Sequence, residues 1–408
     1  MNAEIIAVGS ELLLGQIVNT NTRFISTKLA EIGINVFYHT VVGDNRKRFI
    51  DAVKIAEARA DLIIFTGGLG PTKDDLTKEA LAEHLQMALV HDEEALLMIQ
   101  DFFAKRGHGM TENNKKQALV LEGSHVLSNL HGMAPGMFLT LHRKNYLLLP
   151  GPPMEMEPMF VDYAIPLLSS DSTITSRVLR FYGIGEAELE TRILDLLESQ
   201  TDPTIAPLAS DGEVTLRLTT KNPNVQFATK KLDEIEAKIT DRVGDFLYGY
   251  DSTSLMEEVC KLLKKENLTI SAAESFTGGL FQQELTAIPG VSAVFPGGIV
   301  SYSNLVKMQV LGVEAEIIRD HGVVSEECAL SMARSVRQLF HTDIGVSFTG
   351  VAGPDELEGK SVGTVFIGFS FQDGRAFTQM LQLGLTRNSN RIRAVKQACS
   401  ILLKKCIY

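Results

Sequence analysis

A serine sits in a run of small residues, Ala272-Ala273-Glu274-Ser275-Phe276-Thr277-Gly278-Gly279. Residues 267–271 before it read as a short buried strand, and residues 280–285 after it as a helix that ends before Pro289-Gly290. A strand, a small-residue turn and a helix leave free backbone N–H groups at the turn. They also hold Ser275 at the carboxyl end of a strand, where open α/β sheets bind ligands. Gly278 and Gly279 let a ligand approach the backbone closely. The same residues fit an ordinary helix N-cap, where Ser and Thr are common.

Three later stretches bear on that choice. Residues 299–302 read as a strand, and Ser303-Asn304 caps a helix that carries Lys307. Tyr302 at the strand end and Lys307 one turn past the cap can converge on one pocket. Tyrosine is otherwise a half-buried packer and lysine a solvated charge. An apolar strand at 344–348 runs into Thr349-Gly350-Val351-Ala352-Gly353-Pro354, a second small-residue ligand loop, and residues 360–368 make the next strand. Arg387-Asn388-Ser389-Asn390-Arg391-Ile392-Arg393 heads the last helix. Arginines at a helix start oppose the dipole, which points to a task such as phosphate binding; a solvated face is the alternative.

A different chemistry is suggested near the N-terminus. A strand at 62–65 enters Thr66-Gly67-Gly68-Leu69-Gly70-Pro71-Thr72-Lys73-Asp74-Asp75-Leu76-Thr77. Its glycines and hydroxyls suit a loop whose N–H groups cradle phosphate. Asp74 and Asp75 can hold a divalent cation shared with substrate phosphates, or can simply oppose a helix dipole. His131-Gly132-Met133-Ala134-Pro135-Gly136-Met137 and Leu149-Pro150-Gly151-Pro152-Pro153-Met154-Glu155 add rigid turns.

The elements that must position these residues alternate. Strands at 4–8, 35–42 and 62–65 are separated by a helix capped by residues 19–22 and another at 46–58, a pattern of parallel sheet with helices on both faces. A polar linker at 169–173 leads into a small α+β segment. Its strands lie at 175–182 and 213–219, and its helices at 186–197 and 227–243. We expect α/β architecture: two α/β domains with open, mostly parallel sheets at 1–168 and 252–408, joined by a small domain at 169–250. At 408 residues, with 45% hydrophobic and 22% charged residues, this is an ordinary folded composition. No apolar run reaches about 18 residues, and the N-terminus reads as a strand, not a signal peptide. Cys260, Cys328, Cys399 and Cys406 form no Cys-x-x-Cys pair. A cytoplasmic, non-membrane protein is the expectation. The net charge of −11 argues against broad nucleic-acid binding.

Taken together, Gly9-Ser10-Glu11-Leu12-Leu13, residues 66–77, 134–137 and 149–155 resemble the molybdopterin-binding-like domain that opens CinA-family proteins. Residues 272–279, 298–307, 349–354, 363–365 and 387–393 resemble the CinA C-terminal domain, in the family's order. For the first domain the resemblance implies metal-dependent cleavage of ADP-ribose to AMP and ribose 5-phosphate. Asp74 and Asp75 would be metal or general-base residues, with Glu11 and Asp44 as further metal candidates. Gly67, Gly68, Gly70, Thr72, Pro135, Gly136, Gly151 and Pro153 would shape the nucleotide pocket. For the last domain it implies a deamidase of nicotinamide mononucleotide that uses no cofactor. Ser275 would be the nucleophile, Lys307 the base and Tyr302 a relay or orienting group. The N–H groups of Thr277 to Gly279, with Thr349, would polarise the carbonyl, and Gly350 and Gly353 would line the site. Thr386-Arg387 stands where many relatives carry Asp-Arg, so Arg387 and Arg391 both stay open as the phosphate holder. The resemblance implies a KH-like middle module; Gly183-Ile184-Gly185-Glu186 lacks the Gly-x-x-Gly spacing of RNA clamps. It further implies a homodimer and an association with RecA. Two other readings stay open: a competence-associated interaction protein, or a molybdopterin-type nucleotide-binding protein with one or both sites inactive.

Overall fold

Two consecutive isoleucines, Ile5 and Ile6, face opposite sides of one strand, so each must be covered by its own layer. The computed structural model describes residues 1–72, 74–105, 109–168, 174–210, 212–222 and 224–405. The expected linker at 169–173 and Cys406 lie outside the described residues. The chain divides into two compact units, residues 1–176 with 220–230, and residues 177–219 with 231–408.

In the first unit a six-stranded sheet runs in the order Asn35–Val42, Asn2–Val8, Leu62–Thr66, Lys144–Leu149, Gly136–Leu141, His125–Leu127. The first four strands pair in parallel; the last two add antiparallel. Ile6, Phe65 and Leu148 pack with Phe49 and Val53 on one face. Ile5, Ile64 and Leu147 pack with Ile25, Leu29 and Phe160 on the other. A sheet covered on both faces reads as unbroken apolar strands, which is why residues 62–65 do not alternate. The helices Thr20–Glu31 and Arg46–Arg59 start at Asn19 and Asn45, whose side chains accept from the N–H of Thr22 and Arg48.

The middle segment forms a four-stranded sheet, ordered Thr204–Ser210, Glu213–Lys221, Ile174–Tyr182, Leu247–Tyr250. The strand Glu213–Lys221 buries Val214, Leu216, Leu218 and Thr220 in strict alternation. The helix expected over 186–197 is two helices, Glu186–Arg192 and Leu194–Glu198, divided at Ile193.

The C-terminal sheet runs Gly297–Val300, Ile270–Glu274, Ile344–Gly350, Thr364–Phe371, Ala376–Gln382. Its first two pairings are parallel and the other two antiparallel. The strand expected at 267–271 begins at Ile270 and runs through Glu274. Asn267 takes a left-handed conformation as the C-cap of the helix Leu255–Glu266, and this delays the strand by three residues. The strand expected to reach Tyr302 stops at Val300, and the one expected from residue 360 starts at Thr364. The helix Glu326–Leu339 lies close on this sheet, since a Cβ at Gly345 or Gly368 would strike Ala333 O or Ala329 O. Within the second unit, Lys396 Nζ meets Glu213 Oε1 at 2.7 Å, and Tyr182 and Tyr248 pack against the C-terminal core. No helix among the described residues is long and apolar enough to cross a membrane. Cys260, Cys328 and Cys399 are free and buried.

Candidate active sites

Glu274 ends its strand fully buried, which for a carboxylate requires several donors. Its oxygens accept from the N–H of Gly279 at 2.9 Å, Phe281 at 3.1 Å and Gln282 at 2.9 Å. The carboxylate therefore caps the helix Leu280–Thr286 from one turn away and offsets its dipole. This corrects the expectation that every N–H from Thr277 to Gly279 faces a ligand, since that of Gly279 is taken. The N–H groups of Thr277 and Gly278 make no hydrogen bond among the described residues. Gly278 and Gly279 have φ of 60° and 96°, which glycine adopts without strain. Glu274 was legible only as part of the turn; the signal for its role is a carboxylate placed five to eight residues before the donors it satisfies. Replacing Glu274 with alanine leaves three donors unpaired. We expect it to cost the C-terminal body about 3 kcal/mol or more, read as a lowered urea midpoint by tyrosine fluorescence and circular dichroism.

The turn is fixed to the adjacent strand by Ser275 N and Phe276 N, which both donate to Phe348 O at 2.9 and 3.1 Å. Facing Ser275 is Lys307, on the helix Asn304–Gln309 that Ser303 caps. Lys307 is 2% exposed. Its Nζ lies 2.9 Å from Ser275 Oγ and 2.9 Å from Ser301 O. Burial pushes its pKa below the usual 10.5, while Cys328 and Glu358 act in the opposite direction. A neutral Lys307 can donate one N–H to Ser301 O and accept the Ser275 hydroxyl proton on its lone pair.

The other expected residues divide. Tyr302 is 66% exposed, and its hydroxyl accepts from Arg387 Nη2 at 3.1 Å; the group hydrogen-bonded to Lys307 beside Ser275 is Ser301 O, not Tyr302. Thr349 is buried and donates its hydroxyl proton to the backbone carbonyl Val323 O at 2.5 Å, so that proton is not offered to the carbonyl of a ligand. Gly350 is a strand residue whose Cβ would strike Thr364 O. Arg387 Nη1 donates to Gly353 O at 2.7 Å. Arg391 donates through Nε and Nη2 to Thr277 O at 3.0 and 2.6 Å. Both guanidiniums thus bind neutral carbonyls, Arg391 that of the Ser275 turn, and among the described residues neither is paired with a carboxylate.

The first unit holds a cavity of about 680 Å³ at the carboxyl ends of its parallel strands, lined by Glu11, Asp44, Gly67, Gly68, Gly70, Thr72, Asp74, Asp75, Gly151 and Pro153. That volume suits a nucleotide-sized ligand. Gly67 and Gly68 have φ of 103° and 69°, and a Cβ on Gly67 would strike Val8 O. Asn21, which sequence reading missed, ties the two loops together by donating to Thr66 Oγ1 at 2.8 Å and Gly151 O at 2.7 Å. Pro135 and Gly136 do not line this cavity; Met133 and Ala134 do. Gly136 opens a strand in which a Cβ would meet Met159 Sδ and Leu148 O, so packing explains it. Asp75 Oδ2 accepts from Thr72 N at 2.9 Å and Thr72 Oγ1 at 2.6 Å, and Asp44 Oδ2 from Ser10 N at 3.0 Å. No group of three or more His, Cys, Asp or Glu side chains able to share a metal occurs among the described residues. An all-oxygen set in which one or two carboxylates combine with substrate phosphates still fits magnesium, which keeps much of its water shell.

Residues 252–406 match the family described as CinA C-terminal domain, residues 176–249 the damage-inducible protein CinA KH domain, and residues 4–170 a molybdopterin-binding domain. A protein of Geobacillus sp. (strain WCH70), provisionally named competence-damage inducible protein, is 59% identical over 99% of this chain and 98% of its own. The chain belongs to the CinA family. A counterpart of the same provisional name in Bacillus thuringiensis (strain Al Hakam) is 56% identical over 99% of each CinA chain. A solved CinA protein from Thermoplasma acidophilum, titled as of unknown function, is 36% identical and covers 41% of this chain and 98% of that one, at a TM-score of 0.38.

Proposed function

We propose that this CinA protein hydrolyses the carboxamide of nicotinamide mononucleotide to nicotinate mononucleotide and ammonia. The observation that carries the reading is the 2.9 Å approach of buried Lys307 Nζ to Ser275 Oγ. A serine hydroxyl is a weak nucleophile unless a base stands within hydrogen-bond reach. Lys307, its pKa lowered by burial, removes the proton as Ser275 Oγ bonds to the amide carbon. The negative charge that develops on the amide oxygen is met by the free N–H groups of Thr277 and Gly278. Lys307 then returns the proton to the leaving nitrogen, and ammonia departs. Water, deprotonated by the same amine, releases the acid and restores Ser275. Arg387 and Arg391 supply positive charge for the nucleotide phosphate at the mouth of the turn. The test is release of ammonia from nicotinamide mononucleotide by the purified chain.

The N-terminal cavity supports a second activity, cleavage of ADP-ribose to AMP and ribose 5-phosphate. Asp74 and Asp75 would hold a divalent cation; Glu11 and Asp44 line the same cavity. When bound, such a cation supplies charge neutralisation on the phosphates and an activated water. Gly67, Gly68 and Gly70 let the backbone close on the phosphates. Asp74→Asn combined with Asp75→Asn is expected to lower ADP-ribose turnover by at least about a hundredfold while deamidation stays unchanged. The assay follows AMP formation with magnesium and with a chelator. Equal turnover by the variant and the wild type would remove both carboxylates from the reaction.

A further inference from the structure

We infer that Glu155 is the general base of the N-terminal cavity and that Asn129 positions it. The inference rests on the ADP-ribose reading above. It singles out a residue that neither the glycine-rich loop nor the paired aspartates suggest.

The cavity carboxylates differ in how firmly they are held. Glu11 and Asp74 are exposed. Asp75 gives one oxygen to both donors of Thr72. Asp44 gives one to Ser10 N. Glu155 lines the same cavity half-buried, and its Oε2 accepts from Asn129 Nδ2 at 2.7 Å. Asn129 is 7% exposed, and its amide is committed on both sides. Nδ2 also donates to Ala134 O at 2.9 Å, and Oδ1 accepts from His131 N at 3.1 Å. Turning the amide over would set its oxygen against a carbonyl and a carboxylate, so its orientation is fixed. The backbone closes in as well, since a Cβ on Gly132 would run into the Glu155 carboxyl group.

A carboxylate held at one oxygen by a locked amide keeps its other oxygen directed and available. No hydrogen bond to Oε1 occurs among the described residues. That is what a base needs: a fixed lone pair beside the bound ligand, with no reorganisation during reaction. Asp74 and Asp75 suit a cation, whose demand is for charge shared with phosphate. Glu155 then takes a proton from the attacking water. The water oxygen bonds to one phosphorus as the bridging phosphorus–oxygen bond breaks. AMP and ribose 5-phosphate leave, and the proton passes to solvent.

A purely structural role is the competing account. Glu155 lies in the first turn of the short helix Pro153–Met159, and through Asn129 it braces residues 129–134. Glu155→Gln separates the two, because glutamine keeps an acceptor oxygen for Asn129 but cannot take a proton. With the full chain, kcat for ADP-ribose and the Kd for AMP are measured for wild type, Glu155→Gln and Asn129→Ala. We expect kcat to fall about a hundredfold or more in Glu155→Gln, with AMP affinity held within about threefold. Asn129→Ala should lower kcat by less, again with AMP affinity held within about threefold. Unchanged kcat in Glu155→Gln, or a loss of AMP binding that accounts for the loss of rate, overturns the assignment. A wild type that cleaves no ADP-ribose sinks the pyrophosphatase reading itself, and Glu155 as its base goes with it.

Discussion

Replacing Ser275 with alanine is expected to abolish ammonia release from nicotinamide mononucleotide while leaving the protein folded. The change removes one oxygen at a half-buried turn position whose backbone is held independently by Phe348 O. It removes none of the three bonds by which Glu274 fixes the following helix. An ordinary cap lost at such a turn costs about 1 kcal/mol in stability and leaves turnover nearly normal. A lost nucleophile costs at least about a thousandfold in rate, roughly 4 kcal/mol of barrier. The two outcomes are far enough apart for a single rate measurement to choose. Nucleotide binding should persist, because Arg387 and Arg391 are anchored through Gly353 O and Thr277 O, not through the serine.

Lys307→Ala is expected to match that loss, because members of one catalytic unit do not add. The pH dependence carries the sharper statement. The active form of Lys307 is the neutral amine, so kcat/KM should rise with pH and level off above the lysine's pKa. Burial sets that pKa below 10.5, so the limb should lie under the range of a solvated lysine. Lys307→Arg preserves charge and removes the limb together with the activity, since guanidinium stays protonated below about pH 12. A profile flat through this range in the wild type, or substantial turnover in Lys307→Arg, would show that lysine is not the base. A Ser275→Ala variant that fails while Lys307→Ala keeps its rate would point to a different proton acceptor for the serine.

The layered α/β architecture was legible because it is written in apolar runs and caps. Residues 62–65 read as an apolar strand, and residues 19–22 mark a helix start. Ser275 and Lys307 could be singled out because a strand-to-turn serine and a capped-helix lysine each follow a local rule. Their meeting at 2.9 Å could not be read from sequence, since it depends on parallel pairing of Gly297–Val300 with Ile270–Glu274. Tyr302 and Thr349 took their expected roles from the family resemblance, and the structure spends one hydroxyl on Arg387 and the other on Val323 O. Pro135 and Gly136 failed for a similar reason: a glycine needed for packing against Met159 looks the same in sequence as one needed for a ligand. Glu274, Asn21 and Asn129 were missed because their partners are backbone groups or side chains that only the fold brings near.

The measurement that tests the central claim most directly is product analysis of the purified full-length chain with nicotinamide mononucleotide, without added metal. The serine–lysine account predicts ammonia and nicotinate mononucleotide in equal amounts, both lost in Ser275→Ala. Intact nicotinamide mononucleotide after prolonged incubation, or ammonia release that Ser275→Ala leaves unchanged, would contradict it.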